Sequence, residues 1–286
     1  MVSFLLYSYQ HCVSSNKTLA EFMKFLLVVR EAYNTTVIYH NFRHACDVLQ
    51  ACFYFLIAIG TIPPYGTSTP RAKSALGSVL KPFHALVLLV SAMGHDVGHP
   101  GVNNMFLVRV KATVAQLYND HSVLESFHCA LYSQLLRRFW PSVGNDTAIR
   151  KLMISAILAT DMTVHGQYMK QLDVLREAWQ SNGESTQGWD ETTMEQHREL
   201  LACLIIKCGD ICNVVSISIS QKYFTYADTH SRQESSTLLR IGRVLSQTSL
   251  RIKARWRPMR IFQHVCLVDR HHRATSKTWL NDSWAS

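Results

Sequence analysis

At 286 residues, 48% of them hydrophobic, the chain is long enough for one large domain or two small ones around a sizeable core. The longest apolar stretch, 51–62, is too short to span a bilayer, and the N-terminus shows neither a basic leader nor a signal-peptide run, so a soluble, cytoplasmic protein with no membrane partner is expected. The net charge of +9 is concentrated at one end: residues 237–286 hold ten Lys/Arg against two Asp, which leaves a nearly balanced main body.

In chain order, Leu19 to Val29 reads as a helix. A second helical pattern runs from Tyr39 to about Ile59 through Phe42, Ala45/Cys46, Leu49, Cys52/Phe53 and Leu56. On it, His40 and His44 are four apart and are expected to share a face. Gly60 to Pro82 is rich in proline and glycine and predicts a loop, with a short helical turn near Ala75. Residues 83–95 return to helix around the apolar run Ala85–Val90. His95 and Asp96 then leave that helix about 100° apart, and Pro100-Gly101 stops it. A group held by both side chains must lie between those directions. A metal ion is the simplest such group, and a buried His–Asp hydrogen bond is the alternative.

Val108 to Trp140 predicts two helical segments around Tyr118-Asn-Asp120, and Ser122 and Glu125 have capping-box spacing. Thr147 to Met162 is a further helix, Ser181 to Thr193 a polar linker, and Glu195 to Val215 a long helix. Beyond it, Ser216-Ile-Ser-Ile-Ser alternates like a strand, and the tail is basic and irregular. The eight cysteines show no CxxC pair and sit mostly in helical apolar patterns, as reduced core residues do. An all-α, compact multi-helix bundle over 1–236, followed by a basic tail over 237–286, is the expected organisation.

Polar groups interrupt this apolar pattern in five places. Asp210 stands inside Ile205-Ile-Lys-Cys-Gly-Asp-Ile-Cys-Asn213, and a buried carboxylate needs a cation or a dense shell of donors. Asp161 and His165 flank Met162 at another helix end, and Glu125 with His121 and His128 falls within seven residues of one helix. His44, His95, Asp96 and Asp210 together make two imidazoles and two carboxylates, a donor set suited to Zn²⁺ with water completing the shell. A carboxylate bridging to a second, harder ion gives the two-metal arrangement used on phosphate esters.

The segments Tyr39-His-Asn-Phe-Arg-His-Ala-Cys-Asp-Val, His95-Asp-Val-Gly-His-Pro-Gly, Tyr118-Asn-Asp-His-Ser-Val-Leu-Glu, Leu158-Ala-Thr-Asp-Met-Thr-Val-His and Asp210-Ile-Cys-Asn213 come in the order found in one family. They resemble the catalytic domain of class I 3′,5′-cyclic nucleotide phosphodiesterases, of the His-Asp metallohydrolase superfamily. The resemblance runs from about Thr36 to Val215. It implies an all-α bundle that hydrolyses cyclic nucleotides, cAMP in the first place and cGMP as a second substrate, to 5′-monophosphates. Two divalent ions, Zn and Mg (or Mn), are implied: His44, His95, Asp96 and Asp210 would hold zinc, and Asp96 would reach the second ion. His40 would be the general acid. His99, Glu125, Asp161 and His165 would orient waters and ligands, while Met162 and Asn213 would face the substrate.

The chain also departs from the family. Gly98 stands where a second Asp is usual, and Val214-Val-Ser replaces the Arg-Pro and Trp that follow the asparagine. For the glutamine that binds the purine the only candidate is Gln247, in Ser246-Gln247, which sits close to Asp210 and lacks aromatic context. A weakly active or inactive metal-binding module is therefore the competing expectation, with another His-Asp phosphohydrolase behind it. The basic tail lacks ordered aromatic interleaving, so nucleic acid is not expected as a partner.

Overall fold

The computed structural model describes the backbone of residues 19–63, 75–183 and 185–226, with side chains over 22–63, 77–183 and 185–212. The chain divides into two units, 1–217 and 218–286, and the site lies in the first. Among the described residues there are helices and no strand, as the apolar spacing predicts. In order they are α1 (Leu19–Glu31), α2 (Phe42–Ala58), α3 (Ala75–Val79), α4 (Pro82–Gly94), α5 (Asn104–Arg109), α6 (Thr113–Leu117), α7 (Val123–Phe139), α8 (Pro141–Gly144), α9 (Thr147–Leu158), a 3₁₀ turn at Met162–Val164, α10 (His165–Ser181) and α11 (Glu191–Tyr226). None of the described helices is long and apolar enough to cross a membrane.

The organising element is α4, buried along its whole length from His84 to Gly94 because it is apolar all round. It packs against α2 on one side and α9 on another, and α1, α7 and α8 close the core with Phe22 and Phe25 against Trp140. Buried residues of α11, Leu200 to Ile206, join the same core. Arg198 ties the start of α11 to the end of α3: its Nε donates to the Val79 carbonyl, and its guanidinium pairs with Glu191 and Glu195. Cys52, Cys129, Cys203 and Cys208 are free thiols.

A Cβ at Gly94 would run into the ring of Tyr132, which is fully buried and donates its hydroxyl to the Val90 carbonyl at 2.8 Å. Neither the ring nor the helix has room to give. Gly94→Ala is therefore expected to lower stability by about 2–3 kcal/mol, read as a fall in urea midpoint with an unchanged slope.

Four sequence expectations are corrected. His40 and His44 do not share a helix face, because Asn41 caps α2: its side chain accepts from the amides of Arg43 and His44, leaving His40 ahead of the first turn. The 83–95 expectation for α4 holds to one residue, with Gly94 its last, but Pro100-Gly101 is not what stops it: His95 and Asp96 already sit in the turn that follows, closed by Val97 N–H to Gly94 O and His99 N–H to Asp96 O. Ser122 and Glu125 form no capping box: Ser122 is left-handed at φ 41° and makes no cap bond, while Glu125 is engaged by Asn104. Finally, Ser216–Ser220 is helical within α11, since a five-residue alternation is too short to break a helix already propagating. The tail over 237–286 lies outside the described residues.

Candidate functional site

Three elements deliver the expected ligands to one place. His44 lies in the first turn of α2, oriented by the Asn41 cap, whose amide also donates to the carbonyls of Val37 and Ile38. His95 and Asp96 come from the turn after α4, and Asp210 from α11. The Nε2 atoms of His44 and His95 face one oxygen of each carboxylate: His44 Nε2 is 2.9 Å from Asp210 Oδ1 and 3.5 Å from Asp96 Oδ2. His95 Nε2 is 3.3 Å from Asp96 Oδ2 and 3.6 Å from Asp210 Oδ1.

The donor set fits a metal ion. An ion with ligands at about 2.0–2.2 Å keeps neighbouring donor atoms roughly 2.8–3.6 Å apart, from octahedral to tetrahedral geometry, and the four N–O separations fall within that spacing. His95 is fully buried, its Nδ1 pointing at the Ala92 carbonyl (3.0 Å) and its Nε2 without a hydrogen-bond partner. A donor bond from Nδ1 fixes the tautomer that leaves Nε2 as a lone pair aimed at the cluster. Burial opposes charge on His95, yet the two carboxylates push its pKa up to about 9; the Asp210 pKa lies down at about 2, held there against burial by His44 and His95. The pocket thus has a strong field for positive charge. His40, His44 and Asp96 form a second group that could hold an ion beside it.

His40 sits at the outer edge, its Nδ1 donating to Asp96 Oδ2 at 2.9 Å. Burial opposes its charge, but the bond to Asp96 and the carboxylate's charge raise its pKa above the ordinary value. Its ring stacks on His99 at 4.1 Å, and His99 stacks in turn on His128 at 5.6 Å. Burial lowers the pKa of both His99 and His128 to about 4, so these two rings are neutral.

Glu125 accepts from Asn104 Nδ2 at 2.9 Å, and burial raises its pKa. Asp161 accepts from Ser122 Oγ at 2.7 Å and from the Thr163 amide. Met162 is 55% exposed at the start of the 3₁₀ turn. His165 opens α10, has a buried Nδ1 without a partner, and makes no hydrogen bond or ion pair with the ligand cluster. The side chain of Asn213 and all of Gln247 lie outside the described residues.

Sequence reading gave no role to several residues that the site uses. His128 Nδ1 donates to the Val97 carbonyl at 2.7 Å, which leaves Nε2 3.9 Å from Asp96 Oδ1; its three-residue spacing from Glu125 on α7 was the available signal. Asn104 bridges Glu125 and the Leu124 amide. Lys207, buried one turn before Asp210, donates to the carbonyls of Ala159 and Asp161. Gly98 also gains an explanation: at φ 76°, a Cβ there would come within 2.7 Å of Leu131 and 2.9 Å of Phe127. Glycine removes both the conformational cost and the crowding.

The family model for 3′,5′-cyclic nucleotide phosphodiesterases matches residues 39–227. The chain belongs to the 3′,5′-cyclic nucleotide phosphodiesterase family. Within this phosphodiesterase family, it is 36% identical over 204 residues to 3′,5′-cyclic-nucleotide phosphodiesterase 2 of Saccharomyces cerevisiae, covering 69% of this chain and 31% of the relative. It is 30% identical to the human high affinity cAMP-specific and IBMX-insensitive phosphodiesterase 8A, covering 78% and 27%, and 30% identical to the Dictyostelium discoideum cGMP-specific phosphodiesterase 3, covering 73% and 41%. A crystal structure of yeast caPDE2 in complex with IBMX superposes with a TM-score of 0.61 at 35% identity, over 77% of this chain and 46% of that one. The chain thus spans less than half the length of these relatives.

Proposed function

We propose that this phosphodiesterase-family chain hydrolyses 3′,5′-cyclic nucleotides to 5′-nucleoside monophosphates, with cAMP favoured and cGMP as a second substrate. The observation that carries the reading is the convergence of His44 Nε2, His95 Nε2, Asp96 Oδ2 and Asp210 Oδ1, with His40 Nδ1 bonded to the same Asp96 oxygen. Relatives named for cAMP and for cGMP support both substrates.

His44, His95, Asp96 and Asp210 would hold zinc, and Asp96 would also meet a magnesium or manganese ion. Bound there, such ions supply Lewis acidity, lowering the pKa of a water from about 15.7 toward roughly 7 and offsetting charge on phosphoryl oxygens. The remaining work belongs to the protein. Asp96 accepts a hydrogen bond from His40 Nδ1–H and its charge favours the imidazolium, which keeps that proton and has its Nε2 proton to give. That proton goes to the 3′ oxygen as the P–O bond breaks, a step worth about 10²–10⁴-fold. The neutral rings of His99 and His128 buttress His40 from behind. Glu125 and Asp161 accept hydrogen bonds at the site's margin, and Met162, Asn213 and Gln247 are proposed to line the nucleotide end.

The departures after Asn213 favour a second reading, a metal-binding module with weak or no turnover. One assay separates the two. Purified protein with Mg²⁺ or Mn²⁺ is given cAMP or cGMP and followed for the 5′-monophosphate. Metal-dependent product, lost with a chelator, is the expected result; bound metal without product leaves the second reading standing.

A further inference from the structure

The turn that carries His95 and Asp96 is not held by its own helix alone. Helix α4 ends at Gly94, and the Met93 carbonyl accepts a hydrogen bond from the Tyr33 hydroxyl at 2.9 Å. The same hydroxyl oxygen accepts from the Asp96 amide, at a longer 3.4 Å. One residue earlier, the Ala32 carbonyl accepts from the Gly98 amide at 2.9 Å. Two adjacent residues after α1 therefore grip both ends of the turn. The Tyr33 ring is buried and meets Phe42, the first residue of α2, edge-on at 5.8 Å. A single side chain thus links the end of α4 to the start of the helix that carries His44.

We propose that Tyr33 is a positioning residue for the metal ligands His95 and Asp96: its hydroxyl, bridging Met93 O and Asp96 N, sets the backbone rotation that aims both side chains at His44 and Asp210. Tyr33 lies outside the stretch matched by the family model, which begins at residue 39. The inference rests on the reading of those four residues as a metal site. Its physical basis is the steep dependence of metal affinity on ligand orientation, which outlying hydrogen bonds control.

Tyr132 provides an internal control. It too is buried and donates its hydroxyl to an α4 carbonyl, Val90 O, one turn earlier, but that hydroxyl touches nothing in the turn. The experiment compares wild type, Tyr33→Phe and Tyr132→Phe in the full chain. Each is stripped with a chelator, its apo melting temperature is recorded, and its Zn²⁺ affinity is measured by competition with a chelating dye. Both variants are expected to melt earlier by similar amounts. Tyr33→Phe should weaken Zn²⁺ binding by about tenfold or more, while Tyr132→Phe stays within about twofold of wild type. Equal Zn²⁺ affinity in Tyr33→Phe and wild type, or equal weakening in both variants, overturns the positioning role alone. A wild type that takes up no Zn²⁺ overturns the metal-site reading, and this role with it. Should Tyr33→Phe not fold, Phe42→Leu, which loosens the ring but keeps the hydroxyl, is expected to weaken Zn²⁺ binding at least threefold, and unchanged affinity overturns the proposal.

Discussion

Asp210→Ala is expected to strip the protein of its transition metal, lower its melting temperature by roughly 5–10 °C and reduce cyclic nucleotide hydrolysis at least a hundredfold. Asp210 is the proposed ligand from α11, and its Oδ1 lies 2.9 Å from His44 Nε2 and 3.6 Å from His95 Nε2. Without it the two imidazoles keep a single carboxylate between them. A ligand present at a hundred times its dissociation constant stabilises the fold by about 2.7 kcal/mol. For a domain of this size each kcal/mol moves the melting temperature by about 2–4 °C. The size of the shift thus follows from metal binding alone. The measurement is metal content by mass spectrometry beside thermal unfolding with and without chelator. Chelated wild type should melt near the variant, and the variant should not respond to chelator. A wild type without stoichiometric metal, melting with Asp210→Ala, would refute the site.

The proposed ligands stand out in the sequence where they violate their surroundings. Asp210 breaks an apolar helix face, and His95-Asp96 follows a run, Ala85–Val90, that is wholly buried. Such residue types need a partner wherever the chain places them, so the sequence alone shows that something must satisfy them. What it does not show is the partner's identity when that partner is far along the chain. Tyr33 reaches Met93 across 60 residues, Ser122 reaches Asp161 across 39, and Lys207 reaches Asp161 across 46. Tyrosine, serine and lysine fit many surroundings, and their spacing carries no periodic signal. His128 belongs with them, since a histidine on a helix face reads the same whether it meets water or Asp96.

The local misreadings have a common cause as well. Pro100 is the strongest breaker after the apolar run, yet α4 ends six residues earlier because the turn is gripped by Ala32 and Tyr33. Ser122 and Glu125 match a capping pattern, but Ser122 is claimed by Asp161 and Glu125 by Asn104. In each case a tertiary partner outcompetes a local rule worth about 1 kcal/mol. Helix α2, by contrast, starts where its own Asn41 caps it, and no distant group is involved.

His40→Ala is expected to leave metal content nearly intact while lowering kcat on cyclic nucleotides by about 10²–10⁴-fold. His40 Nδ1 bonds Asp96 Oδ2, and the residue lies ahead of α2, outside the four-atom cluster of His44, His95, Asp96 and Asp210. It also forms the alternative group with His44 and Asp96, so ligation is the competing role. Leaving-group chemistry separates them. A 3′ alkoxide is a strong base and needs the proton, whereas a nitrophenolate departs readily without it. A nitrophenyl phosphodiester should therefore lose far less rate than cAMP in the same variant. The pH profile gives a second reading. Because Asp96 raises the His40 pKa, the protonated acid persists above the ordinary value near 6.5 and is lost as pH rises through the raised one. Wild type should accordingly show an alkaline limb above pH 6.5 that His40→Ala lacks. Equal losses on both substrates, together with lost metal, would make His40 a ligand instead.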